Sequence, residues 1–208
     1  MKVYGHPAST CTRKVLCLLA EKGASAEFVM VDIMKGAQKG AEHLARHPFG
    51  VVPVLEDDDG FVLFESRAIL RYLDAKLEGP SLSPKSLQDR ARMEQWISVE
   101  HSYFSPPAMK AILEVFFAPM KGTTPDGDVI AKGKADAAKA LDVLERELVG
   151  KEFLAGDFSL ADITYAPYLQ YLFDTQAGDI IAERPNVSAW ATRVLERPSW
   201  KKALGKGG

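Results

Sequence analysis

The 208-residue sequence has little cysteine: Cys11 and Cys17 are the only two. They stand six positions apart in a segment with the pattern of one helix, so their side chains point to different faces and cannot form a disulfide with each other. Unpaired thiols are typical of proteins from reducing compartments. The sequence therefore predicts a cytoplasmic protein.

Long hydrophobic runs and an excess of one charge are also missing. No stretch approaches the roughly 18–20 apolar residues of a membrane-spanning helix, and a strand pattern from Lys2 onward leads us to expect no secretory signal. The formal net charge is −2, with no basic block or acidic tail. These features argue against a membrane or nucleic-acid partner. With 47% hydrophobic and 26% charged residues, the composition is that of a globular protein.

The first 78 residues alternate between strand and helix patterns. Residues 2–5 indicate a short strand, a helix with an apolar face follows, and residues 28–33 indicate a second, buried strand. A short helix around residues 42–46 precedes a β-hairpin, and another helix is predicted from residue 66 to about 77. This order predicts a thioredoxin-like α/β domain over residues 1–78.

The second part of the chain has helical patterns only. A linker rich in Gly, Pro and Ser covers residues 79–86. A long helix is predicted from Leu87 to Phe117, with a kink or brief break where two prolines follow each other at positions 106 and 107. Another is predicted over residues 129–149. We expect residues 87–208 to form an all-helical bundle domain.

Ser159 and Asp162 have the spacing of a capping box, in which the serine caps a helix and the acidic side chain returns the bond. The helix that follows has almost no polar face, so it is predicted to be buried.

The stretch from Phe49 to Arg67 is the most informative. Two short apolar runs flank an Asp- and Gly-rich turn, which is typical of a hairpin. Pro53 opens the first strand, where a proline leaves a ladder position without its donor. We expect the Val52-Pro53 bond to be cis, with the N–H and C=O of Val52 turned outward toward another peptide backbone.

Ser66 precedes the apolar pattern of the next helix and is predicted to be its N-cap. A helix N-terminus attracts a carboxylate through its free N–H groups and its dipole, and Glu65 adds a carboxylate beside it. Taken singly, capping serines and strand-opening prolines are most often structural. In this order they predict a clamp for a peptide backbone beside an anion site.

These motifs resemble those of the cytosolic glutathione transferases, and the plant phi class in particular. The resemblance covers essentially the whole chain and is carried by six segments: Gly5-His6-Pro7-Ala8-Ser9, His47-Pro48-Phe49-Gly50-Val51-Val52-Pro53, Phe64-Glu65-Ser66-Arg67-Ala68-Ile69, Trp96 with Val99-Glu100, Phe153-Leu154-Ala155-Gly156-Asp157 and Glu183-Arg184-Pro185.

The resemblance implies a catalytic serine and a glutathione site. Ser9 would donate a hydrogen bond to the glutathione sulfur and favour the thiolate at the positive end of the first helix. A plain N-cap is the alternative role of Ser9. Val52 and Pro53 would hold the cysteinyl backbone, while Glu65 and Ser66 would hold the γ-glutamyl amine and carboxylate.

Two further residues of the implied glutathione site are Gln38 and Lys39, and Lys39 would face the glycine carboxylate. Gln38 stands where the family commonly has His, and Val51 stands where it commonly has Gln. Both departures remove polar contacts, so we expect weaker glutathione binding than in close relatives.

The second substrate implied by the resemblance is a small hydrophobic electrophile, bound between the two halves. By rough alignment and apolar character the candidate pocket residues are Ile33, Leu113, Phe116, Phe117 and Tyr171. Ordinary core packing is the alternative for each. The resemblance also implies a homodimer, and no metal ion or cofactor beyond glutathione as co-substrate.

Several activities stay open at this point. The leading one is addition of the glutathione thiolate to an electrophile, or reduction of organic hydroperoxides. Residues 9–12, Ser-Thr-Cys-Thr, are also similar to the start of zeta-class transferases, which isomerise maleylacetoacetate, whereas residues 64–67 favour the phi class. A non-catalytic carrier of apolar ligands is a third possibility. Thiol–disulfide exchange is disfavoured because Ser9 fills the nucleophile position and Cys11 comes two residues later.

Overall fold

A computed structural model describes residues 1–205, which fall into two compact units. The first unit comprises residues 1–81 together with the segment that begins at Pro198, and the second comprises residues 82–197. The expected division differs in one respect, because the last helix belongs to the first unit rather than to the helical one.

The first unit is a four-stranded sheet with flanking helices, as the sequence predicts. Its strands lie in the order β2-β1-β3-β4, with β2 parallel to β1 and the other neighbours antiparallel. This is the thioredoxin-like arrangement. The elements, in chain order, are β1 Lys2–Gly5, α1 Thr10–Glu21, β2 Glu27–Met30, α2 Ala41–Arg46, β3 Val54–Glu56, β4 Val62–Phe64 and α3 Ser66–Lys76.

The β2 strand is shorter and more exposed than predicted. The expected buried strand over residues 28–33 ends at Met30, and Ile33 begins a 3-10 turn that runs to Lys35. Phe28 and Met30 are 38% and 56% exposed. The prediction of a buried strand was wrong because β2 pairs only with β1 at the edge of the sheet, where an apolar pattern does not guarantee cover on both faces.

Helices α1 and α3 pack against each other, with Leu18 and Leu73 fully buried. A buried ion pair also joins them: Lys22 Nζ lies 2.7 Å from Asp74 Oδ1 and donates to the Asp74 carbonyl at 2.9 Å. The ion pair thus joins the C-terminal ends of the two helices.

The second unit consists of helices only. They are α4 Leu87–Val99, α5 Ser105–Ile112, α6 Ala118–Met120, α7 Gly127–Glu147, α8 Leu160–Phe173, α9 Asp179–Ala182 and α10 Pro185–Glu196. The last helix, α11 Pro198–Ala203, packs against α1 in the first unit.

Of the kink or brief break expected at Pro106-Pro107, the break does not occur. Two π-helical turns, Glu100–Phe104 and Leu113–Phe117, join α4, α5 and α6 into one continuous helical segment. At the first turn the Ser105 N–H donates to the Glu100 carbonyl, five residues back. The wider turn directly precedes the two residues that lack an N–H, so the chain continues helically across them.

The predicted capping box is present at the start of α8. Asp162 accepts hydrogen bonds from the backbone N–H groups of Ser159 at 2.9 Å and Leu154 at 3.1 Å, and from the Trp190 indole at 2.9 Å. Burial raises the pKa of Asp162, and these hydrogen bonds act in the opposite direction. The buried carboxyl thus connects the start of α8 to the loop before it and to α10.

The β3–β4 hairpin is anchored at its turn by Asp57. The buried Asp57 carboxylate accepts hydrogen bonds from the Tyr72 hydroxyl and the Lys76 ammonium of α3, and from the Asp58 N–H at 2.8 Å. The pKa of Asp57 is lowered to about 2, most strongly by the hydrogen bond from Lys76 and next by the hydrogen bond from Tyr72. The hairpin is therefore tied to α3 by a charged side chain.

This anchor predicts a pH-dependent contribution to stability. The lowered pKa means that the contribution of Asp57 is fully present above the unfolded pKa of about 3.9 and is lost as the pH falls toward 2. Asp57→Asn should lower the free energy of unfolding at neutral pH by about 1–3 kcal/mol, the cost of disrupting buried charged hydrogen bonds. Urea unfolding of both proteins should show the difference shrinking below about pH 4.

Asp59→Asn is the matched control. Asp59 is exposed and accepts from the Phe61 N–H at 2.9 Å, a bond that the asparagine oxygen can keep. A destabilisation by Asp57→Asn that stayed constant across this pH range would contradict the charged anchor.

Candidate active site

Ser9 caps α1, the role that the sequence left as the alternative to catalysis. Its hydroxyl oxygen accepts a hydrogen bond from the Thr12 N–H at 3.2 Å, and its own N–H donates to the His6 carbonyl at 2.9 Å. The Thr12 bond uses a lone pair of the half-buried hydroxyl and leaves the O–H able to donate. Ser9 thus offers a donor at the positive end of a helix.

Cys11 lies in the first turn of α1 and is half-buried, whereas Cys17 is buried farther along the helix. Both are free cysteines. The Cys17 sulfur lies 3.9 Å from the Ser199 hydroxyl oxygen. Only Cys11, therefore, stands near Ser9 in the chain and is partly accessible.

The Val52-Pro53 peptide bond is cis, which confirms the expectation from the sequence. Val52 lies two residues before β3. The first residue of β3, Val54, pairs with Tyr4 on one side and Phe64 on the other. Within residues 1–205, no hydrogen bond joins the N–H or carbonyl of Val52 to another protein group. Its backbone is therefore able to pair with an extended ligand.

Glu65 occupies the N-cap of α3, with a φ of 71°. It is the one non-glycine residue with positive φ among residues 1–205. Its carbonyl accepts from the N–H groups of Ala68 and Ile69, both at 2.9 Å, while its exposed side chain makes no capping bond. Such a backbone conformation costs of order 1–3 kcal/mol and is concentrated at functional sites.

The predicted N-cap role of Ser66 was wrong, because Ser66 is the first residue of α3. Its hydroxyl oxygen is buried and has no hydrogen-bond partner within residues 1–205. A buried hydroxyl without a partner costs about 1–3 kcal/mol. The free hydroxyl and the free N–H groups of the first turn of α3 together suit a bound carboxylate.

Gln38 and Lys39 lie in a 3-10 turn, Ala37–Lys39, next to the loop that leads to Val52. A Cβ placed on Gly50, whose φ is 59°, would lie 3.0 Å from the Gln38 carbonyl oxygen and 2.9 Å from Lys39 Cδ. Only glycine allows this close approach. Lys39 Nζ donates to the Phe49 carbonyl at 3.0 Å, and the buried side-chain oxygen of Gln38 has no partner within residues 1–205.

Two histidines beside the site were not predicted as functional residues: His43 in α2, which the sequence assigned only to a short helix, and His47, which follows α2. His43 Nε2 lies 2.8 Å from the Val51 carbonyl oxygen, and the His43 ring stacks with that of His47 at 6.4 Å between centroids. The His47 ring in turn stacks on Phe64 at 4.5 Å. The available signal for His47 was its place in the segment His47-Pro48-Phe49-Gly50-Val51-Val52-Pro53, which carries the family resemblance.

His47 is buried, and its Nδ1 atom has no hydrogen-bond partner within residues 1–205. Burial lowers the pKa of His47; the Glu65 carboxylate acts in the opposite direction, and His43 and Lys39 lower it further. His47 is thus electrostatically coupled to two of the predicted glutathione ligands.

The predicted electrophile residues are only partly brought together. Phe116, Phe117 and Tyr171 form an aromatic cluster in the helical unit, with ring centroids 5.0 to 5.8 Å apart. Leu113 lies one π turn before Phe117 and is 43% exposed, and Ile33 lies in the 3-10 turn after β2. Phe117 and Tyr171 are buried, so core packing accounts for much of their contact. Their role toward a substrate stays a prediction.

Within residues 1–205, no cluster of three or more His, Cys, Asp and Glu side chains is placed to hold a metal ion. The helices of the same part of the chain include none that is long and apolar enough to cross a membrane.

Comparison with known proteins identifies the family. Residues 1–75 match the model of the glutathione S-transferase N-terminal domain, and residues 101–198 match that of the C-terminal domain. The chain is 41% identical to glutathione S-transferase F10 of Arabidopsis thaliana, over 96% of this chain and 94% of the relative. The chain belongs to the glutathione S-transferase family. A glutathione S-transferase of Silene vulgaris is 42% identical, over 98% and 96% of the two chains.

Solved transferase structures agree with this assignment. Glutathione transferase F7 of Populus trichocarpa superposes with a TM-score of 0.92 at 37% identity, covering 100% of this chain and 99% of the other. A maize glutathione S-transferase I in complex with an atrazine glutathione conjugate has a TM-score of 0.88 at 34% identity, covering 99% and 96%. These relatives are of the phi class. The protein is accordingly a phi-class-like glutathione transferase, an enzyme that uses glutathione as its co-substrate.

The positive φ of Glu65 predicts that glycine at this position makes this glutathione transferase more stable. Glu65→Gly removes the steric cost of positive φ, which is of order 1–3 kcal/mol. This gain exceeds the roughly 0.5–1 kcal/mol lost because glycine adds backbone entropy to the unfolded state. The variant should therefore raise the free energy of unfolding by about 1 kcal/mol. Glu65→Gln keeps the conformation and should leave stability unchanged. Denaturant unfolding measures both, and a glycine variant less stable than the glutamine variant would contradict the steric argument.

Proposed function

We propose that this transferase activates the glutathione thiol as a thiolate through Ser9 and adds it to small hydrophobic electrophiles. The observation that carries the proposal is the Ser9 hydroxyl, which accepts from the Thr12 N–H and keeps its own O–H to donate. A donor aimed at a developing anion stabilises the charged form and lowers the pKa of the group it faces.

The reaction then needs few protein groups. The glutathione thiol loses its proton to solvent, and the sulfur anion accepts hydrogen-bond donation from Ser9. The sulfur attacks the electrophilic carbon of the second substrate and forms a C–S bond. With an aryl or alkyl halide the halide leaves, and in a conjugate addition the adjacent carbon takes up a proton. With a hydroperoxide the sulfur would instead attack the terminal oxygen: the S–O bond forms as the O–O bond breaks, the alkoxide leaves and takes up a proton as an alcohol, and a second glutathione converts the glutathione sulfenic acid to glutathione disulfide and water.

The proposed glutathione site lies along the hairpin. Val52 would pair with the cysteinyl backbone beside Pro53, and Glu65 would hold the γ-glutamyl ammonium. Ser66 and the start of α3 would hold the γ-glutamyl carboxylate, supported by the buried hydroxyl that otherwise lacks a partner. This pairing satisfies the polar groups that the protein leaves open.

Gln38 and Lys39 would complete the site at the glycine end of the tripeptide. The Lys39 ammonium donates one hydrogen to Phe49 and has two more for a carboxylate. The unpartnered Gln38 side-chain oxygen suggests a polar neighbour in the bound state.

For the second substrate we infer an apolar electrophile, in contact with Ile33, Leu113, Phe116, Phe117 and Tyr171. The maize relative in complex with an atrazine glutathione conjugate supports this class, because its ligand joins glutathione to an aromatic ring. The resemblance to phi-class rather than zeta-class transferases favours conjugation over isomerisation. We place the enzyme in the cytoplasm on the evidence of its two free cysteines.

Paired variants test the role of Ser9. Ser9→Ala should lose aryl-halide conjugation by roughly 10- to 1000-fold, the scale of removing one anion-stabilising donor, and should raise the apparent pKa of bound glutathione, read from thiolate absorbance. Cys11→Ala is the matched control, since Cys11 lies two residues farther within the helix, and should keep most of the activity.

The reverse result would overturn the proposal. If Cys11→Ala were inactive, and mass spectrometry showed a mixed disulfide between Cys11 and glutathione, thiol transfer would replace conjugation. Turnover of maleylacetone with no aryl-halide activity would favour an isomerase, and binding of apolar ligands without any turnover would favour a carrier.

We also infer a homodimer. The helical unit carries a cleft of about 580 Å³ whose apolar lining includes the 68% exposed Tyr103 and the 42% exposed Val143. In the first unit Phe49 is 70% exposed. Exposed apolar surface of this kind is typical of protein contacts. A twofold interface would bury it on both copies.

Phe49→Ser should therefore shift the dimer toward monomer by at least tenfold in its dissociation constant, since truncating a buried aromatic anchor costs about 2 kcal/mol or more. Light scattering over a concentration series measures the shift. Phe61→Ser, at a 44% exposed phenylalanine after the hairpin turn, is the control. A monomeric wild-type protein would refute the dimer.

A further inference from the structure

His43 is the side chain through which α2 contacts the loop before β3. It is 5% exposed, and its Nε2 atom lies 2.8 Å from the Val51 carbonyl oxygen. Because a carbonyl oxygen can only accept, Nε2 carries the hydrogen and donates it. The backbone of residue 51 is therefore fixed to α2 from the protein interior.

That bond determines where the next N–H points. The Val51 carbonyl and the Val52 N–H belong to one planar trans peptide unit, in which the two groups point in opposite directions. With the carbonyl held inward by His43, the Val52 N–H is turned away from α2. Within residues 1–205 this N–H has no protein acceptor.

His47, the residue that follows α2, extends this support toward the start of α3. The His43 ring stacks on His47, and His47 stacks on Phe64, the residue before Glu65. The ring of His43 thus takes part in packing, while its N–H takes part in a hydrogen bond. A substitution can separate these two contributions.

We propose that His43 is a positioning residue for glutathione capture, which orients the Val51–Val52 peptide so that the Val52 N–H faces the cysteinyl backbone of glutathione. The inference rests on the proposed function, because it takes Val52 to be the backbone clamp. His43 itself touches neither the sulfur nor the tripeptide. Its effect is on binding in the ground and transition states alike, so KM should change and kcat should not.

The test compares two variants of His43. His43→Phe keeps a flat ring to stack on His47 but has no donor, whereas His43→Gln keeps an N–H donor without the ring. We expect His43→Phe to raise the Kd of glutathione, measured by isothermal titration calorimetry, and its KM by about five- to tenfold, the scale of one hydrogen bond. Its kcat with an aryl halide should stay within about twofold. His43→Gln should restore most of the affinity.

Two controls keep the result interpretable. Glu42→Gln changes an exposed neighbour on the same helix and should bind glutathione like the wild-type protein. Thermal unfolding of the free wild-type protein and of His43→Phe is the second control. A merely structural role would change thermal stability and kcat instead.

Three outcomes would overturn the inference: wild-type affinity in His43→Phe, an equal loss in His43→Phe and His43→Gln, or a fall in kcat that matches the rise in KM. Wild-type protein that conjugates nothing and binds no glutathione would refute the proposed function itself. Glutathione binding with no effect of His43→Phe would refute only the role of His43.

Discussion

The register of the β3–β4 hairpin is the constraint on which the glutathione site depends. Val54 pairs with Phe64 at the last position of the ladder, so Pro53 and Glu65 both leave the sheet at the same end of the hairpin. Strand pairing therefore brings together the segments that we propose as the backbone clamp and the anion site. A slip of one residue would turn every side chain of one strand to the other face and separate the two sites. The Asp57 contacts with α3 hold the hairpin in that register.

The site keeps several unfavourable features that packing elsewhere has to offset. Glu65 has a backbone with positive φ. Within residues 1–205, the Ser66 hydroxyl and the Gln38 side-chain oxygen are both buried and have no hydrogen-bond partner. Each costs about 1–3 kcal/mol in the free protein. Their concentration on segments next to one hairpin is better explained by a ligand than by folding. In the helical unit, the capping box of Asp162 shows the contrary case, where the polar groups satisfy one another.

The sequence predicted those parts of the fold that local chemistry controls. The hairpin, the cis bond before Pro53 and the capping box at Ser159 each depend on a few adjacent residues. It failed where the outcome depends on distant neighbours. Whether β2 is buried depends on its place at the sheet edge, which no local pattern records.

Two local expectations, the cap at Ser66 and a break at the double proline, were also not met, for different reasons. Serine is a common N-cap, but the unusual φ of Glu65 moves the helix start one residue earlier in the chain and leaves Ser66 inside the helix. A double proline usually breaks a helix, but a π turn just before it removes the conflict. In both cases a rare backbone conformation overrides the common preference.

The contact of His43 bears on the departure at Val51, where the family commonly has Gln. The Val51 side chain is 47% exposed, while its carbonyl is fixed by His43 from the other side. Orientation of the Val52 N–H therefore depends on the backbone of residue 51 and not on its side chain. On the proposed assignment, loss of a polar side chain at this position would remove one contact with glutathione but would not release the peptide that we propose as the clamp. The proposed clamp would thus depend more on the buried His43 than on the side chain of residue 51.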